Sequence, residues 1–129
     1  AMLDDDCLFC KIIKGEIPSN KVYEDDYVFA FDDVNPQMPV HTLIVPKSHY
    51  VNLSDDIPAD ELGHLFSQVK TVARLKGVDE SGYRTVVNSG DDARQVVKHL
   101  HIHVMGGGRM CDGSPAEVPG ETHNERAEE

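Results

Sequence analysis

The sequence predicts an α+β domain: a five-stranded, mainly antiparallel sheet with one short and one long helix. Three observations carry this. His99-Leu100-His101-Ile102-His103-Val104 alternates imidazole and aliphatic side chains without a break, which on an extended backbone sends the rings to one face and the apolar groups to the other. Between Pro58 and Arg74, Leu62, Leu65, Phe66, Val69, Val72 and Ala73 recur every three or four residues, the period of an amphipathic helix. The order of elements, a short helix, three strands, a long helix and two strands, separates helices from strands as α+β domains do.

Each element has its own local cause. Cys7 to Lys14 is a short helix, since Phe9, Ile12 and Ile13 share a face and Gly15 and Pro18 end it. Lys21 to Glu24 and Tyr27 to Phe31 are aromatic and β-branched strands, with Asp25-Asp26 as a hairpin turn. Asn35-Pro36-Gln37-Met38-Pro39 is a connection, because two prolines remove donors and bias the residues before them. His41-Thr42-Leu43-Ile44-Val45 is a central strand, apolar after its first residue and closed by Pro46-Lys47. Asp60 and Glu61 favour the start of the long helix through its dipole. Tyr83 to Asn88 is the fourth strand, Ser89 to Arg94 a polar loop, and Lys98 to Met105 the histidine strand. Residues 1–110 form one domain, and 111–129 read as a polar tail, mobile or wrapped around a second copy.

Composition narrows the function. With 129 residues and 40% hydrophobic content, one core fits and two do not. Twelve basic against 23 acidic residues leave a formal charge of −11, which argues against a nucleic-acid partner, because phosphate neutralisation needs a basic face. An anionic small molecule requires local positive charge. No apolar run reaches the roughly 20 residues of a membrane span. The acidic start Asp4-Asp5-Asp6 is unlike a signal peptide, so a cytoplasmic protein is expected.

Three imidazoles in a row suit nucleophilic attack, proton transfer or metal binding, since histidine titrates nearest neutrality. An exposed polar strand face is the plainer alternative. Cys7 and Cys10, three apart, can reach one ion, and zinc takes four thiolate or imidazole ligands. His49, after the third strand, and His99 are candidates for the other two if those strands pair side by side. A redox pair and two buried thiols stay open as readings; the redox reading wants a preceding strand, and only an acidic segment precedes Cys7. Cys111 has no such neighbour.

Matched segments extend the reading. His99 to Met105 follows the pattern His-φ-His-φ-His-φ-φ, where φ is apolar, with Gln95-Val96-Val97-Lys98 before it. Cys-Leu-Phe-Cys-Lys-Ile-Ile-Lys-Gly-Glu-Ile-Pro-Ser, Val-Tyr-Glu-Asp-Asp, Pro-Val-His-Thr-Leu-Ile-Val-Pro-Lys-Ser-His and Val-Val-Asn-Ser-Gly occur in order. Together they resemble the histidine triad (HIT) superfamily, specifically the Hint branch in its zinc-carrying bacterial form.

That resemblance implies a homodimer whose two sheets meet as ten strands, and a hydrolase of purine nucleoside phosphoramidates or related nucleoside monophosphate conjugates. By matched position His101 is the nucleophile that becomes a nucleotidyl-histidine. His103 donates to the phosphate or leaving group, and His41 and the backbone around His99 hold the nucleophile's orientation and tautomer. Asn88 and Gln95 are phosphate-side donors and Asp33 accepts from the ribose hydroxyls. Phe9 and Phe31 wall the base. Cys7, Cys10, His49 and His99 hold a structural zinc. Each substrate contact has a plainer competitor: turn chemistry for Asp33, local loop bonding for Asn88 and Gln95, core packing for the two phenylalanines. A Fhit-type dinucleoside polyphosphate hydrolase, a nucleotide-binding protein without turnover and a metal held by all three imidazoles are the rival functions.

Two departures from the branch stand out. Ala93-Arg94 and Val96 occupy positions where glycines and a serine are usual, and the Trp-Pro-Pro-Gly ending is absent. Valine cannot donate to phosphate as serine would, which weakens the expected phosphoramidase. Arg94 offers a permanent positive charge near it.

Overall fold

The computed structural model describes residues 6–113. The expected tail falls almost wholly outside them.

The chain enters through α1 (Leu8–Ile13). Cys7 caps it, its Sγ accepting from Cys10 N at 3.4 Å. Its other end closes in a Schellman turn: Gly15 sits at φ 80°, its N–H donates to Ile12 O, and Glu16 N–H donates to Lys11 O. Glycine takes that left-handed conformation without strain.

Strands β1 (Lys21–Glu24), β2 (Val28–Asp32), β3 (Val40–Pro46), β4 (Tyr83–Val86) and β5 (Ile102–Gly106) form one antiparallel sheet in the order β1-β2-β3-β5-β4. Asp25 makes the first hairpin turn. Its Oδ1 accepts from Tyr27 N and Val28 N, both at 2.8 Å, while Oδ2 accepts from Tyr23 Oη at 2.9 Å.

Alternation along the strands divides the core in two. Val28, Ala30, Ile44, Ile102 and Val104 pack under α2 (Ala59–Ser67) and α3 (Val69–Leu75), together with Leu65, Val72 and Leu100. Phe29, Phe31, Leu43 and Val45 point the other way and are covered by Phe9 and Ile12 of α1. Leu100, Ile102 and Val104 thus enter the larger core while His101 and His103 emerge on the α1 face, beside Phe9 and Leu43.

Three expectations need correction. The long helix over 58–74 is interrupted at Gln68. Ser67 Oγ donates back to Gly63 O and Gln68 Nε2 to His64 O, and hydroxyl back-bonding of this kind bends a helix. The histidine strand is shorter than Lys98 to Met105, since ladder pairing starts at Ile102. Leu100 N donates instead to Tyr50 O at 2.7 Å, which turns the preceding segment out of the sheet. The fourth strand likewise ends at Val86, before Asn88.

Candidate active site and metal cluster

Because β3 and β5 run antiparallel as neighbours, the end of β3 and the approach to β5 meet at one edge of the molecule, and the start of β3 meets the end of β5. Two histidine clusters result.

At the first edge, His49 follows β3, His99 precedes β5, and α1 brings Cys7 and Cys10. Cys10 Sγ lies 3.3 Å from His49 Nδ1 and 3.4 Å from His99 Nδ1, and Cys7 Sγ lies 3.4 Å from the same His99 nitrogen. Ligand atoms on a tetrahedral zinc, at about 2.3 Å for sulfur and about 2.05 Å for nitrogen, stand about 3.6 Å apart across a sulfur–nitrogen edge. All four ligand atoms here lie within 4.8 Å of one another. His99 Nε2 donates to Pro46 O at 2.8 Å, so the bare nitrogen is the Nδ1 facing both sulfurs. The donor set and its tautomer fit a zinc ion. Burial pushes the His99 imidazole down to about 4, which keeps that lone pair free.

At the second cluster, hydrogen-bond partners assign each ring its proton. Gln37 N–H donates to His41 Nδ1 at 3.0 Å, so His41 carries its proton on Nε2 and donates it to His103 Nδ1 at 2.9 Å. His103 is left with Nε2–H. His101 Nδ1 donates to the His99 carbonyl at 2.7 Å, which leaves its Nε2 as a bare lone pair with no partner among the described residues. Burial holds His101 below its usual range, and burial together with His101 and His41 pushes His103 down to about 4. Both rings are therefore neutral near pH 7. Asp33, His41 and His103 also group as candidate ligands. The 2.9 Å between the two nitrogens is a hydrogen bond, shorter than the roughly 3.3 Å between two nitrogens on one tetrahedral zinc. The three strand imidazoles do not converge on one ion, since His99 faces the sulfurs.

His101 and His103 open onto a cleft of about 580 Å³, within the usual range for small-molecule sites. One end is apolar: Phe9, Ile12, Phe31 and Leu43 line it, and the Phe9 ring meets Phe31 and His101 edge-on at centroid distances of 5.4 and 5.1 Å. Asp33 and Asn88 line the polar part. Asp33 does turn work as well, Oδ1 accepting from Asn35 N at 2.9 Å, and its Oδ2 lies 3.5 Å from His41 Nε2.

Of the anticipated substrate contacts, Gln95 is the one that the cleft lining does not include. It is buried, its Nε2 donating to Val51 O and Val97 O and its Oε1 accepting from Gly90 N and Asn52 Nδ2. With every polar atom engaged, it staples the loop and has nothing left for a phosphate. Contributors that sequence reading passed over are Ile12, whose signal was its place one turn after Phe9, and the Gln37 N–H and Pro46 carbonyl, which leave no trace in side-chain identity.

The family model of the HIT domain matches residues 14–110. An uncharacterized HIT-like protein of Synechococcus elongatus is 49% identical over 107 residues, covering 81% of this chain and 93% of that protein. The crystal structure of a HIT family hydrolase from Legionella pneumophila Philadelphia 1 is similar at 41% identity and a TM-score of 0.78, covering 85% of this chain and 99% of that one. That of a histidine triad nucleotide-binding protein from Candida albicans is similar at 36% identity and a TM-score of 0.73, covering 87% of each.

Proposed function

The chain belongs to the HIT domain family, and from that membership we propose that it hydrolyses purine nucleoside phosphoramidates, or related nucleoside monophosphate conjugates, through a covalent nucleotidyl-histidine. The observation carrying this reading is the proton assignment: a neutral ring with a bare Nε2 beside a ring that presents Nε2–H, both opening on an apolar-walled cleft.

The purine lies against Phe9 and Phe31, with Asp33 accepting from the ribose hydroxyls. The His101 Nε2 lone pair attacks the α-phosphorus; an Nε2–P bond forms, and the bond to the leaving group breaks with its electron pair departing on the leaving atom. The His99 carbonyl, accepting from Nδ1–H, stabilises the positive charge that develops on the His101 ring. His103 Nε2–H donates to the phosphoryl group or leaving atom, its orientation relayed from the Gln37 backbone through His41. Asn88 supplies a further donor. Water then cleaves the Nε2–P bond, releasing the nucleoside monophosphate. We assign a structural zinc to Cys7, Cys10, His49 and His99, where a site with four protein ligands is closed to substrate. We also assign the homodimer and the Hint type.

Adenosine phosphoramidate should yield AMP, and intact-protein mass spectrometry of quenched turnover should show an added AMP. With His101→Ala the adduct vanishes and turnover falls at least about 10³-fold. Parent-like turnover in that variant would remove His101 from the role; no AMP from the parent would favour a nucleotide-binding protein without turnover.

A further inference from the structure

We propose that Arg94 determines leaving-group specificity, selecting conjugates whose leaving group carries a negative charge. This rests on the function proposed above and names the substrate class of the same site.

Four observations carry it. Arg94 is the sole lysine or arginine among the cleft-lining residues, in a chain of net charge −11. Its guanidinium makes no hydrogen bond or ion pair among the described residues, whereas Lys98, in the same loop, is held by Asp91 and by Gln95 O. Arg94 is also the one described residue other than glycine at positive φ, 60°. A side chain in that conformation is strained by about 1 kcal/mol relative to glycine, and such strain concentrates at functional sites. Finally, the parts of a nucleotide account for the rest of the cleft. Phe9, Ile12 and Phe31 meet the base, Asp33 the ribose, and His101, His103 and Asn88 the reacting phosphoryl. The exposed lining left over includes Val34, Asn35 and Gln37 on one loop and Ala93, Arg94 and Val96 on the other, and among these Arg94 alone carries a charge. On this reading the group beyond the phosphorus leaves past the Ala93–Val96 loop. Val96 offers it no donor, so Arg94 is the cationic contact available, and a guanidinium pairs with carboxylate or phosphate in a bidentate fork.

The acid groups of the cleft do not cancel this cation. Asp32 is paired with Lys76 at 2.9 Å and accepts from Thr42 Oγ1, and Asp33 faces His41 and Asn35 N.

Two probes that differ only in that charge test it: the adenosine 5′-phosphoramidates of β-alanine and of β-alanine amide. The parent should hydrolyse the carboxylate-bearing probe with kcat/KM about tenfold above the amide, a ratio worth about 1.4 kcal/mol. The preference should shrink as salt is raised from 50 mM to 0.5 M. Arg94→Gly should bring the ratio to about 1 by lowering turnover of the carboxylate probe alone, and Arg94→Lys should keep part of it. Glycine suits φ 60°, so Arg94→Gly retains the parent's Tm and the loss is not a folding defect. Equal turnover of both probes by the parent, or a preference that survives Arg94→Gly, overturns this inference and leaves the hydrolase intact. No turnover of either probe overturns the hydrolase and this inference with it.

Discussion

His99 does two jobs with different atoms. Its Nδ1 faces the two cysteine sulfurs while its carbonyl takes the proton of His101 Nδ1. Whatever fixes the ring therefore also fixes the backbone that sets the His101 tautomer. A chelator that strips zinc should lower Tm by about 10 °C or more, since a ligand present at a thousandfold excess over its Kd contributes about 4 kcal/mol. Elemental analysis should find one zinc per chain in the parent and in His101→Ala, and none in Cys7→Ala. Zinc lost with His101→Ala and kept with Cys7→Ala would move the ion to the strand imidazoles. The side-chain half of this arrangement was legible: cysteines three apart and alternating histidines identify themselves by spacing. The backbone half was not, because Pro46 O, His99 O and Gln37 N–H exist at every position and only folding selects them. Gln95 was ambiguous in the sequence for a related reason. An amide can serve a phosphate or a loop equally well, and here Val51 O, Val97 O, Gly90 N and Asn52 take all of it.

Strand pairing, more than any single residue, brings the chemistry together. β3 beside β5 joins His41 to His103 at one end and His49 to His99 at the other. The register follows from alternation, because a slip by one residue would turn Ile102 and Val104 out of the core. The β1–β2 hairpin is held mainly by Asp25, which accepts from two backbone N–H groups and Tyr23 Oη and also meets His64 Nε2 at 2.7 Å. That last contact ties the hairpin to α2. Asp25→Ala should cost about 2–3 kcal/mol in urea unfolding, as several bonds to a charged acceptor are lost together, while Asp26→Ala should stay within about 0.5 kcal/mol. Equal effects would mean that the turn is set by the chain and not by the carboxylate. The turn was visible as Asp25-Asp26 between two β-rich segments. The break at Gln68 was not, because Ser67 and Gln68 bond back to carbonyls without disturbing the apolar spacing of Leu65, Val69 and Val72.

The two edges of the sheet are unlike, and this decides how a second copy can join. β1 is protected: its register shifts between Lys21 and Tyr23, and it carries a charge at each end. Bulges and charges of this kind keep an edge from pairing. β4 runs in unbroken register from Tyr83 opposite Gly106 to Val86 opposite His103, with Tyr83 and Thr85 exposed. Two copies meeting along β4 in antiparallel fashion would continue each five-stranded sheet into one of ten, and β5, which carries His103 and directly follows His101, would lie one strand from the junction. Light scattering should then give about twice the 14.3 kDa chain mass at micromolar concentration. Thr85→Asp places like charges near each other across the two-fold axis, where they destabilise the pairing, and should shift the population toward monomer. Lys21→Asp at the exposed start of β1 is the control for any acidic change in a strand and should leave the association unchanged. A parent that runs at 14.3 kDa would remove the dimer, and a dimer broken by the β1 change and not by the β4 change would place the contact elsewhere.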